Sequence, residues 1–465
     1  MRKIVVIGGG ISGLTTAWKL SQDINNKVTI LESSDRVGGC IQTEVIGKYL
    51  VEKGPNGFLV NQPYVWNLIH EVGLENELVP GSTLAGKNRF LWKNAQLQKL
   101  PGSILGFLFN PILSLSGRIR VLYEPLIPSK KDELDESIRA FSLRRLGTEA
   151  TDTLLDPFVS GIHAGDPQIL SSQAGFPRLT ALEKRFGSIF MGLLRGGLGK
   201  ANLTKGIQNP NRSRIWSLKH GMGQLVKKLE SGSFTLIKNC LVRGIESQSN
   251  GTWLIHLDAK SLSADVVIMA CPPGATSGML QKMDPEAAGL FAQIPANTLA
   301  VVVFAFKREQ VKHPLDGFGY LIPSNENRDI LGVQWCSSIY PGRAPEGQVL
   351  LRVLVGGMRR PDLAKLPMDQ LEQLVFENVA RDLTISGQPE WVETKIWNPA
   401  IPQYQVGHLD LVKKIRAVES RLESSRTYRI CWRTASAVPW YQSDFSIVCW
   451  AARTSTNPRL NGSNL

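Results

Sequence analysis

The run Lys3-Ile4-Val5-Val6-Ile7 leads straight into Gly8-Gly9-Gly10-Ile11-Ser12-Gly13, and this junction constrains the fold more than any other segment. The apolar run reads as a buried strand. Residues 12 to about 21 read as a helix and residues 27–32 as a second strand, which together make a β-α-β unit. The glycines match G-x-G-x-x-G, placed between strand and helix as a dinucleotide fingerprint requires. Gly8 permits the tight turn, Gly10 lets a pyrophosphate approach the backbone, and Gly13 allows close helix–sheet packing. Gly9, Ile11 and Ser12 complete a helix start whose free N–H groups and positive dipole end suit phosphate. Glu32, ending the second strand, is placed to accept hydrogen bonds from ribose hydroxyls.

A chain of 465 residues with 43% hydrophobic and 20% charged side chains builds two or three lobes, which excludes a disordered chain, a collagen or a coiled-coil rod. No apolar run is long enough to predict a spanning helix. The N-terminal apolar run dissolves into glycines without a cleavage site, so a cytoplasmic protein is expected. The six cysteines (Cys40, Cys240, Cys271, Cys336, Cys431, Cys449) are scattered without a C-x-x-C pair, which predicts reduced thiols and no metal site. The formal charge is +13, and residues 184–228 hold ten Lys or Arg and no Asp or Glu. An anionic membrane face, an acidic small molecule or a solvated basic loop each account for that excess. No nucleic-acid motif accompanies it, so no nucleic-acid partner is expected.

Residues 101–128 read PGSILGFLFNPILSLSGRIRVLYEPLIP, apolar all round and punctuated by proline. They suit a partly buried helical hairpin, a surface dipping into one leaflet, or core helix. An amphipathic helical region follows at 134–146. Strand-rich stretches return at 235–269, including 252–257 and 265–269, and again at 298–355. Such returns after a long insertion predict sheets assembled from distant pieces of chain.

Directly after Glu32 stands Ser33-Ser34-Asp35-Arg36-Val37-Gly38-Gly39-Cys40, and further on Gly54-Pro55-Asn56-Gly57. Both elements resemble the FAD-dependent amine oxidase superfamily, where the first wraps the second half of FAD and the second lies against the flavin. The resemblance implies FAD, with Ser33, Arg36, Gly39, Cys40, Gly54, Pro55, Asn56 and Gly57 at the cofactor. Cys40 reads as a small filler there rather than a redox thiol.

Later segments narrow the likeness. Leu155-Asp156-Pro157-Phe158-Val159-Ser160-Gly161-Ile162-His163-Ala164-Gly165-Asp166-Pro167 resembles the signature of oxygen-dependent protoporphyrinogen oxidases. Ser217-Leu218-Lys219-His220-Gly221-Met222 and Trp397-Asn398-Pro399-Ala400-Ile401-Pro402-Gln403-Tyr404 are similar to further elements of that family. The resemblance implies an α/β fold: a Rossmann-type FAD-binding domain (1–82, 215–275, 397–465) interleaved with an α+β substrate-binding domain (83–92, 195–214, 276–396). A mostly helical membrane-binding region (93–194) completes it. It also implies that Arg89 binds a propionate, that Gly161 and Leu321 contact the tetrapyrrole, and that Val242 and Trp397 lie near the adenine and the isoalloxazine. Two positions depart from the pattern: Gln334 stands where the family has an aliphatic contact, and Leu354 where it has an aromatic one.

The implied reaction is the six-electron oxidation of protoporphyrinogen IX, with O2 as acceptor and hydrogen peroxide released, in a peripheral membrane protein that forms a homodimer. The flavin carries this chemistry, which agrees with a sequence offering six histidines and no Ser/His/Asp or metal-ligand set, so no catalytic base is assigned. Oxidation of coproporphyrinogen III, an amine oxidase or desaturase activity, and tetrapyrrole binding without turnover are the competing readings. The end of the chain departs from the family. A strand beginning near Ile430-Cys431 runs into residues 432–465, which hold three of eleven tryptophans and one glycine, Gly462. No Gly-Asn or Gly-Asp turn can be built there. A shifted reading frame near codon 432 or a real but divergent tail accounts for the change, and losing that turn's backbone donors predicts weak FAD retention.

Overall fold

A computed structural model describes residues 1–59, 63–102, 106, 110–195, 215–424 and 430–432. The β-α-β unit is present: β1 (Arg2–Ile7), α1 (Ile11–Leu20) and β2 (Asn26–Leu31), each within a residue or so of the boundaries read from sequence. The first sheet has five parallel strands in the order Thr235–Ile237, β2, β1, Val266–Met269, Ile430–Trp432, so its pieces come from four distant parts of the chain. The runs Ile4-Val5-Val6-Ile7 and Val266-Val267-Ile268-Met269 are buried throughout, as strands covered on both faces must be. On one face Ile4, Val6 and Ile30 pack on Leu14 of α1 and on Leu225 and Leu229 of helix Gly223–Glu230. On the other, Val5, Ile7 and Val267 meet Trp253 and Ile255 and the helix His408–Ser424 through Val412 and Ile415.

The second sheet has seven strands, in the order Trp391–Trp397, Leu299–Lys307, Gln348–Gly356, Ile330–Trp335, Gly319–Leu321, Phe90–Lys93, Gln96–Lys99. All its pairings are antiparallel except Gly319–Leu321 with Phe90–Lys93. The hairpin Phe90–Lys93/Gln96–Lys99 belongs to it, so this sheet extends past residue 92. Its outer face (Val302, Phe304, Tyr320, Trp335, Val353) packs on helix Met368–Leu383. The inner face (Val301, Val303, Leu350, Leu354) turns toward Tyr49, Val51, Ala164 and Trp397.

Between the two lies a helical region with a core built from Ile138, Phe141, Leu155, Val159, Phe176 and Leu182. The fully buried Arg145 is paired with Glu124 and also donates to the Ile127 and Gly187 carbonyls. Glu124 accepts from the Ile189 and Phe190 N–H groups, which satisfies both buried charges. The helix expected over 134–146 is confined to Ile138–Leu146, because the Ser137 hydroxyl caps it at Ala140. Of residues 101–128, a helix Leu115–Leu122 and a turn Glu124–Leu126 are described. Leu115, Ile119, Leu122 and Leu126, spaced by three or four, are all exposed. Residues 196–214 of the basic stretch 184–228 and the whole of 433–465 lie outside the described residues.

Candidate functional site

The glycines of the fingerprint sit where the carboxyl ends of the parallel strands open, the usual ligand crevice of such a sheet. Gly8 has φ +106°, and a Cβ there would lie 2.6 Å from the Ala270 carbonyl oxygen, so only glycine fits. A Cβ on Gly13 would collide with the Gly8 carbonyl, which is the close helix–sheet approach expected of it. Gly10 is different, because a Cβ there would meet nothing nearer than the Gly39 Cα at 3.9 Å. That open face is the cradle a pyrophosphate needs.

Glu32 is tied on both sides. Oε2 accepts from the Gly9 N–H at 2.6 Å, while Oε1 accepts from the Ser34 N–H at 2.9 Å and from the Ser33 and Ser34 hydroxyls at 3.3 and 2.7 Å. Its carboxylate is thus aimed before any ribose arrives. Arg36 folds back on its own loop and donates to the Val37, Gly39 and Ile41 carbonyls. It therefore shapes the second glycine turn, which the Gly38 N–H stitches to the Gly9 carbonyl at 2.8 Å. Val242 is buried near this end of the sheet, among Ile7, Leu31 and Cys271.

The 54–57 turn continues the line. A Cβ on Gly54 would strike the Cys40 carbonyl, and one on Gly57 would strike the Tyr340 hydroxyl, so both glycines are demanded by close approach. The Trp397 indole donates to the Lys53 carbonyl at 2.8 Å, which holds it at the entrance to this turn. Asn56 is buried. Its amide donates to the Cys336 thiol at 3.6 Å, while its Oδ1 has no partner among the described residues. Open backbone at Gly10 and an orphaned acceptor at Asn56, along one continuous line, fit a dinucleotide bearing a hydrogen-bonding ring.

Beneath the turn lies a set of buried charges that sequence reasoning did not single out. The Arg352 guanidinium donates to the Gly54 carbonyl at 2.6 Å and to Gln334 Oε1 at 2.9 Å. Arg343 donates to the Ser217 hydroxyl at 2.5 Å and lies 3.6 Å from Glu52. Burial pushes the Glu52 carboxyl up to about 7, against the pull of Arg343 and of hydrogen bonds from Thr43 and Met222. Burial likewise pushes the Cys336 thiol up to about 11, which keeps it an unreactive thiol. A signal for Arg352 existed in the sequence: it is the single charge within the apolar strand Gln348–Gly356.

Arg352 also explains Gln334. The two are cross-strand partners on the inner face, so the amide oxygen provides the acceptor that a buried guanidinium needs and an aliphatic side chain lacks. In the next row on the same face, Leu321 pairs with Gly332, and Gly332 with Leu354. A Cβ on Gly332 would lie 2.9 Å from Leu321 Cδ2, so the Leu321 side chain covers Gly332 on the side where Leu354 is the next cross-strand neighbour. Gly161, on helix Asp156–His163, packs against Leu321; a Cβ there would lie 2.5 Å from Leu321 Cδ2. Arg89 precedes the strand that pairs with Leu321's own, is exposed, and stands over the Phe318 ring at 5.2 Å. No carboxylate forms an ion pair with it among the described residues. The structure brings Gly161, Leu321 and Leu354 together, and puts Arg89 one residue before the strand that pairs with Leu321's own.

Other signature residues are structural. Asp156 pairs with Arg359 at 2.8 Å and accepts from the Ser324 N–H. The His163 and Ala164 carbonyls accept from the Asn297 amide, and Gln403 donates to the His163 carbonyl as well. Burial holds the His163 imidazole down at about 4, hence neutral.

The Flavin containing amine oxidoreductase model matches residues 11–422. The chain is 30% identical over 433 residues to the coproporphyrinogen III oxidase of Bacillus subtilis, covering 89% of this chain and 90% of that one. It is 31% identical over 452 residues to protoporphyrinogen oxidase 2 of Arabidopsis thaliana, covering 90% and 88%. A crystal structure from Exiguobacterium sp. 255-15 superposes with a TM-score of 0.81 at 22% identity, covering 97% of this chain and 99% of that one.

Proposed function

Because the chain belongs to the flavin containing amine oxidoreductase family, we propose that it oxidises protoporphyrinogen IX to protoporphyrin IX, with O2 as final acceptor. It is an FAD-dependent oxidoreductase of tetrapyrrole biosynthesis. The observation that supports this choice of substrate is the packing of Gly161 on Leu321, with Leu354 across Gly332 and the exposed Arg89 at the start of the neighbouring strand. A flat apolar ring matches the apolar surface of Leu321 and Leu354, and a propionate matches the exposed Arg89 guanidinium by bidentate charge-assisted hydrogen bonding.

When bound, FAD supplies a two-electron acceptor that O2 regenerates with release of hydrogen peroxide. The glycine cradle at Gly8, Gly9, Gly10, Ile11, Ser12 and Gly13 and the carboxylate of Glu32 would hold its pyrophosphate and ribose. The loops at Ser33, Arg36, Gly39 and Cys40 and at Gly54, Pro55, Asn56 and Gly57 would hold the rest, with Val242 and Trp397 packed beside it. Arg89 fixes one edge of the substrate, while Leu321 and Leu354 orient the macrocycle and keep water from its reacting face. Asn56, through its unpartnered Oδ1, accepts a hydrogen bond from whichever ring lies in front of it.

A second reading, coproporphyrinogen III to coproporphyrin III, is favoured by Gln334, which puts a polar amide where an apolar contact would suit vinyl groups. Assaying both porphyrinogens side by side by product fluorescence distinguishes the two. Anaerobic mixing with substrate tests catalysis itself: the flavin absorbance bleaches in an oxidase and stays unchanged in a protein that only binds. No described helix is long and apolar enough to cross a membrane. The exposed strip Leu115, Ile119, Leu122 and Leu126 supports peripheral attachment to an anionic membrane surface.

A further inference from the structure

The buried charges under the 54–57 turn do not balance. Arg343 and Arg352 are each only 2–3% exposed, and guanidinium groups stay protonated in proteins. Among the described residues, the single carboxyl that faces them is Glu52. Cys336 and Tyr340, the other titratable neighbours, are both held neutral by burial. Even with Glu52 ionised, one positive charge remains. Its donors are unspent as well: Arg352 Nε, Arg343 Nε and Arg343 Nη1 make no hydrogen bond among the described residues, although all are buried. A buried cation with idle donors is costly unless an anion or a developing negative charge compensates it.

We propose that Arg352, backed by Arg343, supplies a fixed buried positive charge behind the 54–57 turn that raises the reduction potential of the bound flavin. A hydride leaving a substrate carbon brings two electrons and one proton to the isoalloxazine, which gains one negative charge. The oxidised substrate is left as a cation that sheds a proton to water. A preorganised cation stabilises the gained charge and leaves the neutral oxidised ring almost untouched, so it acts on the difference between the two states. Arg352 is a positioning residue in this account. It acts through its field and through the Gly54 carbonyl, and Gln334 stands in place of an aliphatic residue in order to hold it. The inference rests on the FAD reading and not on the tetrapyrrole, so its failure would leave the choice of substrate open.

The test uses the FAD-reconstituted full chain and two readouts that need no substrate: the midpoint potential by dye equilibration, and the dissociation constant for sulfite, an anion that adds to oxidised flavin. Arg352→Met should weaken sulfite at least about tenfold and lower the potential by ~30 mV or more. Arg352→Lys, which keeps the charge, should stay close to the parent. Glu52→Gln, at about pH 8 where the parent carboxyl is ionised, should move both readouts the opposite way, and it covers the case in which Arg352→Met does not fold. An unchanged potential in Arg352→Met with stoichiometric FAD overturns the proposal. So does equal loss in the Met and Lys variants, or no shift in Glu52→Gln.

Discussion

Gly161 lies flat against Leu321, with no room between the helix and the strand for even a methyl group. A side chain at 161 displaces Leu321 from its place over Gly332, the cross-strand neighbour of Leu354. Gly161→Ala is therefore expected to raise KM for the porphyrinogen about tenfold, the scale of modest overpacking, while the flavin spectrum stays that of the parent. Steady-state fluorescence assays with flavin quantitation check this, and an unaltered KM would remove Leu321 from the substrate surface.

Arg89 has a cation–π contact with Phe318 and no carboxylate partner among the described residues, which leaves its charge for a ligand. Replacing it with Leu removes a charge-assisted pair and should cost about 10- to 100-fold in kcat/KM, with Arg89→Lys intermediate because an ammonium cannot match a carboxylate bidentately. The loss should grow less severe as salt is raised and should be absent from FAD binding. Equal kinetics in Arg89→Leu and parent would count against propionate recognition at this position.

The fingerprint could be read directly because its chemistry is local. Gly8, Gly10 and Gly13 are set by the geometry of one turn, and Glu32 by the length of one strand. The leucine pair was legible only through family likeness, because Leu321 and Leu354 become neighbours through a sheet whose order no local pattern dictates. Of the charge cluster only Arg352 left a trace in the sequence, as the single charge in an apolar strand. Glu52, Arg343 and Arg352 are separated by up to 300 positions and meet only because the turn after Glu52 crosses the inner face of the second sheet. Gln334 looked like a lapse from the pattern, yet it is the acceptor that a buried arginine requires.

The strand Ile430–Trp432 ends at the same edge of the sheet as the Gly8 turn. The sequence after it has no Gly-Asn or Gly-Asp turn, the element that the family likeness puts at the pyrophosphate. The purified chain is expected to lose flavin on desalting, to well below one FAD per polypeptide, and to recover it with added FAD. Absorbance before and after gel filtration decides this, and stoichiometric retention would refute the weak binding; the nucleotide sequence around codon 432 decides the reading frame.

The exposed residues of helix Leu115–Leu122 and the following turn form one apolar stripe. Ile119→Glu combined with Leu126→Glu should reduce co-sedimentation with anionic vesicles by at least about tenfold, since each buried methylene is worth ~0.8 kcal/mol. Activity on detergent-dispersed substrate should be retained. Undiminished vesicle binding would assign membrane contact to another face.

Glu52 should leave its mark on stability as a function of pH. Its carboxyl titrates at about 7 in the folded chain against 4.5 ordinarily, chiefly because it is buried. Between those values the native state holds a proton that the unfolded chain has released. Stability from this group is therefore intact below about pH 4.5 and is lost as pH climbs through 7. His163 works in the opposite sense. Burial lowers it from 6.5 to about 4, so the unfolded chain takes up a proton that the native state refuses, and stability falls as pH drops through that window. Glu52→Gln abolishes the first slope and leaves the second. Relative to the parent, the variant should gain stability from about pH 5 to about pH 8, by up to ~3 kcal/mol, read from urea midpoints at each pH. The gain should vanish at the acid end, where both side chains are neutral. A difference that stays constant with pH would mean that Glu52 remains ionised in the native protein, with Arg343 outweighing its burial.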